Sequence, residues 1–141
     1  MKIHTLLLSY DKQFSANLEI SAACSLYELA ELSIKALGFD FDHAFGFYDN
    51  LTNIYCSKEK YTLFADMGES EDGEPGVKNT TVDAVFTPGK KMCFYFDYGD
   101  DWYFQLNCQS IVEQSSRRRA RKIIGRKGQP PEQYPDLDEK E

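Results

Sequence analysis

The sequence predicts an α+β domain in which one helix packs on a mainly antiparallel sheet of about five or six strands. Three observations lead to this prediction: apolar and polar residues alternate over 14–21, helix start and stop signals flank 26–37, and two β-rich runs flank Gly99-Asp100-Asp101. The order strand, strand, helix, strand also suits a β-grasp-like arrangement. A chain of 141 residues with ten Phe and nine Tyr has enough apolar surface for one core.

The first two strands are predicted from side-chain period. Residues 2–9 are rich in aliphatic side chains, and residues 10–13 have the composition of a turn. In 14–21 every second residue is apolar, which is the period of a strand with one buried face. Together the two runs predict an N-terminal hairpin.

The helix prediction over 26–37 depends on its two ends. Ser25 and Glu28 have the spacing of a capping box, in which each side chain binds the other residue's backbone N–H. Gly38 suits the left-handed residue that commonly ends a helix. Residues 43–49 then alternate and predict a return strand, and the acidic, glycine-containing stretch 66–79 predicts a surface loop.

A second hairpin is predicted over 91–98 and 102–108, and its register follows from segregating apolar residues onto one face. A three-residue loop, 99–101, achieves this, with Asp101 near the left-handed region. It pairs Tyr98 with Trp102, Phe96 with Phe104, Phe94 with Leu106, Met92 with Cys108 and Asp97 with Tyr103. The expected buried face is Phe94, Phe96, Phe104 and Leu106, and the opposite face is Cys93, Tyr95, Asp97, Tyr103, Gln105 and Asn107.

Charge is concentrated in one segment, which divides the chain into a core domain at 1–113 and a basic, then Pro-rich and acidic extension at 114–141. The formal net charge is −7, yet 117–127 holds seven basic residues and no acidic one. Arginine-rich segments bind phosphate backbones, so the candidate nucleic-acid contacts are Arg117, Arg118, Arg119, Arg121 and Lys122. The alternative is that the acidic body or tail neutralises this segment internally.

Two further candidate sites lie on the second hairpin. Asp97, Asp100 and Asp101 predict either ordinary turn hydrogen bonding or a divalent-metal or acid–base site. The polar face of the hairpin makes Tyr95, Tyr103 and Gln105 the candidate ligand contacts. Trp102 is interpreted as core rather than a stacking platform, and His4 and His43 as structural rather than catalytic.

Other classes of site receive less support from the sequence. The four cysteines have no metal-ligand spacing, so we expect no metal site and no cofactor. The N-terminal apolar run is too short for a signal peptide or a membrane span. We therefore expect a cytoplasmic location, reduced thiols and no membrane association.

Three stretches of the chain resemble the plasmid-borne ORF-three-like family, first named from a root-inducing plasmid. They are Gly38-Phe39 with His43-x-Phe45, the hairpin Tyr95 to Trp102, and the tail Gly125-Arg-Lys-Gly128-Gln-Pro-Pro-Glu132-Gln-Tyr134-Pro. Family members often carry a similar tyrosine–aspartate–aromatic–glycine–aspartate–x–tryptophan hairpin. Many members have paired glycines where this chain continues Gln133-Tyr134-Pro135-Asp136. Some are labelled transposon-associated resolvases, but this sequence contains no recombinase constellation.

The resemblance implies no activity, so three functional hypotheses stay open. The first is a non-enzymatic binding module linked to mobile elements or nucleic acid. The second is a small divalent-metal-dependent enzyme that uses Asp97, Asp100 and Asp101. The third is a protein-interaction domain that recruits a partner through 117–127.

Overall fold

A single antiparallel sheet of seven strands dominates the computed structural model, which describes residues 1–70, 72–115 and 120–135. The strands are β1 Lys2–Tyr10, β2 Phe14–Ser21, β3 Phe45–Tyr48, β4 Lys60–Thr62, β5 Lys91–Phe96, β6 Trp102–Glu113 and β7 Arg121–Gly128. Their order across the sheet is β4-β3-β5-β6-β1-β2-β7. The helices are α1 Leu26–Leu37, α2 Leu63–Asp66 and α3 Val82–Val85, with a 3-10 turn at Ile54–Cys56.

Helix α1 has the boundaries that its capping signals predict. The backbone N–H of Glu28 donates to Ser25 Oγ, the N–H of Ser25 donates to Glu28 Oε1, and both distances are 3.1 Å. Gly38 follows the helix in the left-handed region at φ 72°. The buried side of α1 packs on one face of the sheet and forms the main core with the apolar residues of the strands. No helix in the described ranges is long and apolar enough to cross a lipid bilayer.

The sequence predicts five or six strands, and the structure has seven. The two that the sequence pattern does not reveal, β4 and β7, are the edge strands. β4 is only three residues long and lacks a measurable side-chain period. β7 is basic and mostly exposed, and it forms because β2 offers a backbone edge to pair with. Because one strand is so short and the other so exposed, hydrophobic periodicity does not reveal them.

The register predicted for the second hairpin is wrong by two residues. Phe96 lies opposite Trp102, Phe94 opposite Phe104 and Met92 opposite Leu106, so the connecting loop spans 97–101. Tyr95, and not Asp97, lies opposite Tyr103. Asp101 has the predicted left-handed backbone at φ 57°, but Asp97 is left-handed too, at φ 65°, which closes a longer loop.

The predicted division of the paired strand residues into two faces is confirmed, because a shift of two residues leaves a strand side chain on its own face. Asp97 and Tyr98 are exceptions, because they lie in the loop rather than on a strand. Phe94, Phe96, Phe104 and Leu106 are all buried in the main core. On the sheet face opposite α1, Cys93 and Tyr95 are buried as well. They form a second small cluster with Tyr48 and Ile54, against which Tyr98 packs.

Candidate functional site

The hairpin loop 97–101 is held by its own aspartates. Asp97 Oδ1 accepts hydrogen bonds from the N–H groups of Gly99 at 3.0 Å and Asp100 at 3.1 Å. The hydroxyl of Tyr95 donates to Asp101 Oδ1. Two of the three candidate catalytic carboxylates therefore take part in turn hydrogen bonding, while Asp100 is exposed at the tip. In the described part of the chain, no group of three or more His, Cys, Asp or Glu side chains could hold a metal ion.

His43 joins this loop to the C-terminal segment. Its Nε2 lies 3.3 Å from Asp97 Oδ2, 2.7 Å from the hydroxyl of Tyr134 and 3.6 Å from Asp42 Oδ1. Tyr134 in turn donates to Asp42 Oδ2 at 2.9 Å. The hydrogen bond to Asp42 adds to the effect of desolvation and raises the pKa of Tyr134 to about 12. Its hydroxyl therefore stays protonated and available for this bridge at neutral pH.

Gln133 provides a second attachment between the tail and the loop after α1. The N–H of Asp40 donates to Gln133 Oε1 at 2.6 Å, and Gln133 Nε2 donates to the carbonyl of Asp40 at 3.1 Å. The three stretches that resemble the plasmid-borne family therefore meet in space. Sequence reasoning missed Asp42, Gln133 and Tyr134 as members of one cluster, although each lies within or beside a motif stretch.

A cleft of about 450 Å³ opens on the sheet face opposite α1, beside the same hairpin. Its aromatic wall contains Tyr48 and Tyr98, whose hydroxyls are hydrogen bonded at 2.7 Å, and Phe64, whose ring lies 4.9 Å from that of Tyr98. Gly46 makes this arrangement possible, because an added Cβ would lie only 2.9 Å from the Tyr98 hydroxyl oxygen. Burial raises the pKa of both tyrosines, so their rings stay neutral.

Charged side chains also line the cleft. Lys60 pairs with Asp72, and Glu69 and Glu74 complete the set of carboxylates. Glu74 accepts hydrogen bonds from Ser70 Oγ at 2.8 Å, the Asp72 N–H at 3.0 Å and Thr62 Oγ1 at 2.9 Å. Burial opposes ionisation, but these donors outweigh it and lower the pKa of Glu74 to about 2. Glu74 is therefore a permanent negative charge at neutral pH.

We expect acid to weaken the hydrogen bonds that the Glu74 carboxylate accepts, because they depend on its ionised form. Because the pKa of Glu74 is lower in the folded protein than in the unfolded chain, its ionised form stabilises the fold above pH ~4.5. That contribution decreases as the pH falls and is lost near pH 2. We expect the free energy of unfolding, measured by urea titration, to decrease more steeply between these pH values in the wild type than in Glu74→Gln. Equal slopes in the two proteins would contradict the assignment.

The predicted ligand contacts Tyr95, Tyr103 and Gln105 lie together on the sheet face opposite α1. The rings of Tyr95 and Tyr103 are stacked with centroids 4.8 Å apart, but Tyr95 is fully buried. Tyr103 and Gln105 line a shallower hollow of about 300 Å³ that also contains Cys93. Burial raises the pKa of the Cys93 thiol to about 11, so it stays protonated at neutral pH.

The basic segment is partly neutralised by α1. Arg121 lies 3.4 Å from Glu28 and 3.9 Å from Glu31, and Arg126 Nε donates to the carbonyl of Ala36 at 3.1 Å. Lys122 lies opposite Glu19 in the ladder between β2 and β7. The candidate residues Arg117, Arg118 and Arg119 lie outside the described residues. Nucleic-acid binding through this segment stays a prediction, and so does partner recruitment through 117–127.

The remaining sequence candidates sit among core residues. His4 is buried, and its Nε2 lies 3.1 Å from the carbonyl oxygen of Phe86. Burial lowers the pKa of His4 despite that contact. Trp102 stacks on Phe104 with centroids 6.0 Å apart and planes 4° apart, and its buried Nε1 has no hydrogen-bond partner among the described residues.

Comparison with known proteins identifies a family and a fold. A family model described as "Plasmid pRiA4b ORF-3-like protein" matches residues 1–139. The search of curated proteins finds no match. Among solved structures, the chain is similar to a protein of unknown function, MM3350 from Methanosarcina mazei Go1, with 14% sequence identity and a TM-score of 0.71. The similarity covers 92% of this chain and 71% of that chain, and at this identity it shows a shared fold alone.

Proposed function

Since the chain belongs to the plasmid pRiA4b ORF-3-like protein family, whose description names no activity, we propose its function from its geometry: it is a non-enzymatic binding module. The ligand site is the cleft on the sheet face opposite α1, beside Tyr48 and Tyr98, hereafter the tyrosine cleft. The observation that supports this proposal is its volume of about 450 Å³ combined with a lining of aromatic and charged side chains. Small-molecule sites commonly have this size and lining.

The chemistry of the lining supports recognition rather than catalysis. The described residues that line the cleft include no histidine or cysteine. The hydroxyls of Tyr48 and Tyr98 hydrogen bond to each other, and burial makes both harder to ionise. Side chains in this state can donate hydrogen bonds and offer ring faces to a ligand, but they are poor proton acceptors at neutral pH.

Contacts within the protein also hold the Tyr98 ring of the cleft in place. Tyr98 emerges from the loop that Asp97 closes, and its ring centroid lies 4.5 Å from that of Tyr95. Tyr95 is itself anchored by its hydrogen bond to Asp101. A ring held from several sides loses little conformational entropy on binding, which favours affinity.

A fragment titration followed by NMR tests this proposal. Small aromatic fragments of cationic, neutral and anionic type are added to the wild type, and we expect the largest shifts at Tyr48, Phe64 and Tyr98. Phe64→Ala removes a half-buried ring from the wall and should weaken binding by about tenfold, as expected when a good aromatic contact is lost. Its free energy of unfolding is measured in parallel to verify that the variant is folded.

Tyr103→Ala is the control, because it removes an exposed aromatic ring that lines the neighbouring hollow and does not line the tyrosine cleft. Binding should be the same in this variant and in the wild type. Shifts confined to the hollow near Tyr103, or to His43 and Tyr134, would contradict the proposed location of the site. Absence of shifts with fragments of every charge would contradict the function itself.

A further inference from the structure

The charges around the tyrosine cleft are not balanced. Among the described residues, Glu69, Asp72 and Glu74 line it together with one cation, Lys60. Lys60 is already paired with Asp72, and Glu74 already accepts three hydrogen bonds from its own loop. Within the described residues, no side chain pairs with the carboxylate of Glu69. The cleft therefore has one carboxylate without a partner, next to a second that remains ionised throughout the neutral range.

The aromatic wall favours the same sign of ligand charge. The faces of tyrosine and phenylalanine rings carry negative electrostatic potential and attract cations. Tyr48, Phe64 and Tyr98 are among the side chains that line the cleft. An anion would meet repulsion from both the rings and the carboxylates, whereas a cation would be attracted by both.

From these two features we infer that the tyrosine cleft binds an organic ammonium ion with an aromatic or aliphatic body. The inference rests on the proposed function and specifies its ligand class. The body lies against Tyr98 and Phe64, and the ammonium group lies towards Glu69. The volume of about 450 Å³ suits a ligand of this type. An ammonium group occurs both in small amines and in lysine side chains, and the chemistry of recognition is the same for both.

Three probes of nearly equal shape test the sign of the charge. Phenethylammonium, 2-phenylethanol and 3-phenylpropionate are titrated separately and followed by NMR at the cleft resonances. We expect phenethylammonium to bind and the other two to bind at least about fivefold more weakly, the effect of one partly exposed charge pair. A peptide with a single lysine, titrated beside its norleucine counterpart, distinguishes a protein-borne ammonium from a free amine.

Glu69→Gln identifies the carboxylate, since it removes the charge without removing a hydrogen bond to any described residue. It should weaken phenethylammonium binding by about fivefold and leave 2-phenylethanol unaffected. Glu19→Gln on β2 is the matched control, four strands away from β3, and should leave both titrations unchanged. Raising the salt concentration should weaken only the binding of the ammonium probe.

The possible outcomes separate the two proposals. Equal binding of all three probes, or tighter binding of 2-phenylethanol or 3-phenylpropionate, would overturn the inferred ligand class and leave the binding site standing. An unchanged affinity for phenethylammonium in Glu69→Gln would overturn the placement of the ammonium group. Failure of every probe and of the lysine peptide to bind would overturn the inference and the proposed function together.

Discussion

Phe96→Ala is expected to lower the free energy of unfolding by about 3–5 kcal/mol, the usual range for a buried aromatic residue in a core. Phe96 is fully buried at the end of β5, where its ring stacks on Phe41 and also lies close to Phe39 and Phe94. The three neighbours come from the loop after α1 and from the sheet. They cannot all move into the space left by the ring, so part of it should remain as a cavity.

Urea unfolding followed by far-UV circular dichroism measures this loss. Tyr55→Ala is the control, because Tyr55 is 83% exposed and its truncation should change the free energy of unfolding by less than about 0.5 kcal/mol. If Phe96→Ala were as stable as this control, Phe96 would not lie in the core. Such a result would also contradict the alignment of β5 with β3, which pairs Phe96 with Phe45.

Asp97→Ala is expected to lower the free energy of unfolding by about 3 kcal/mol, although Asp97 lies in a loop. Two loop N–H groups would lose their acceptor, at about 1 kcal/mol each. Alanine would also have to adopt the left-handed backbone at φ 65°, at a cost of about 1 kcal/mol or more. The contact with His43, with 3.3 Å between Asp97 Oδ2 and His43 Nε2, would be lost as well.

Two further substitutions separate these contributions. Asp97→Gly accepts the left-handed backbone but lacks the side-chain acceptor, so it should be more stable than Asp97→Ala by about 1 kcal/mol. Asp97→Asn keeps both the acceptor and the tolerance for this backbone, so it should be the mildest of the three. A glycine variant as stable as the wild type would show that the carboxylate hydrogen bonds do not stabilise the loop.

For the second hairpin, the sequence predicts the two faces correctly but not the register. The division of Phe94, Phe96, Phe104 and Leu106 from the opposite face depends only on the strand period, so any register of the same parity preserves it. The register itself depends on the loop. The alternating pattern predicts that Asp97 belongs to the strand. Its side chain instead accepts a hydrogen bond from the N–H of Gly99 and its backbone is left-handed, so the loop spans 97–101.

The candidate site shows a similar limit. The sequence predicts Tyr95, Asp97 and Asp101 as candidates, and these side chains hold the loop that carries Tyr98. It gives no signal for Tyr48, Phe64 or Glu69. These residues come from different segments, and only the pairing of β3 with β5 and the path of the loop after α2 bring them beside Tyr98. A cleft assembled from separate segments has no spacing pattern in the sequence.

Features that depend on only a few neighbouring residues could be predicted from the sequence alone. The capping box of Ser25 and Glu28, the left-handed Gly38 and the two faces of the second hairpin all follow from contacts or periods within a short stretch. Three other features form only in the tertiary structure: the pairing of β7 with β2, the hydrogen bond between Tyr134 and His43, and the tyrosine cleft. These features join residues far apart in the chain, and their free energy exists only when the whole sheet has brought both partners together.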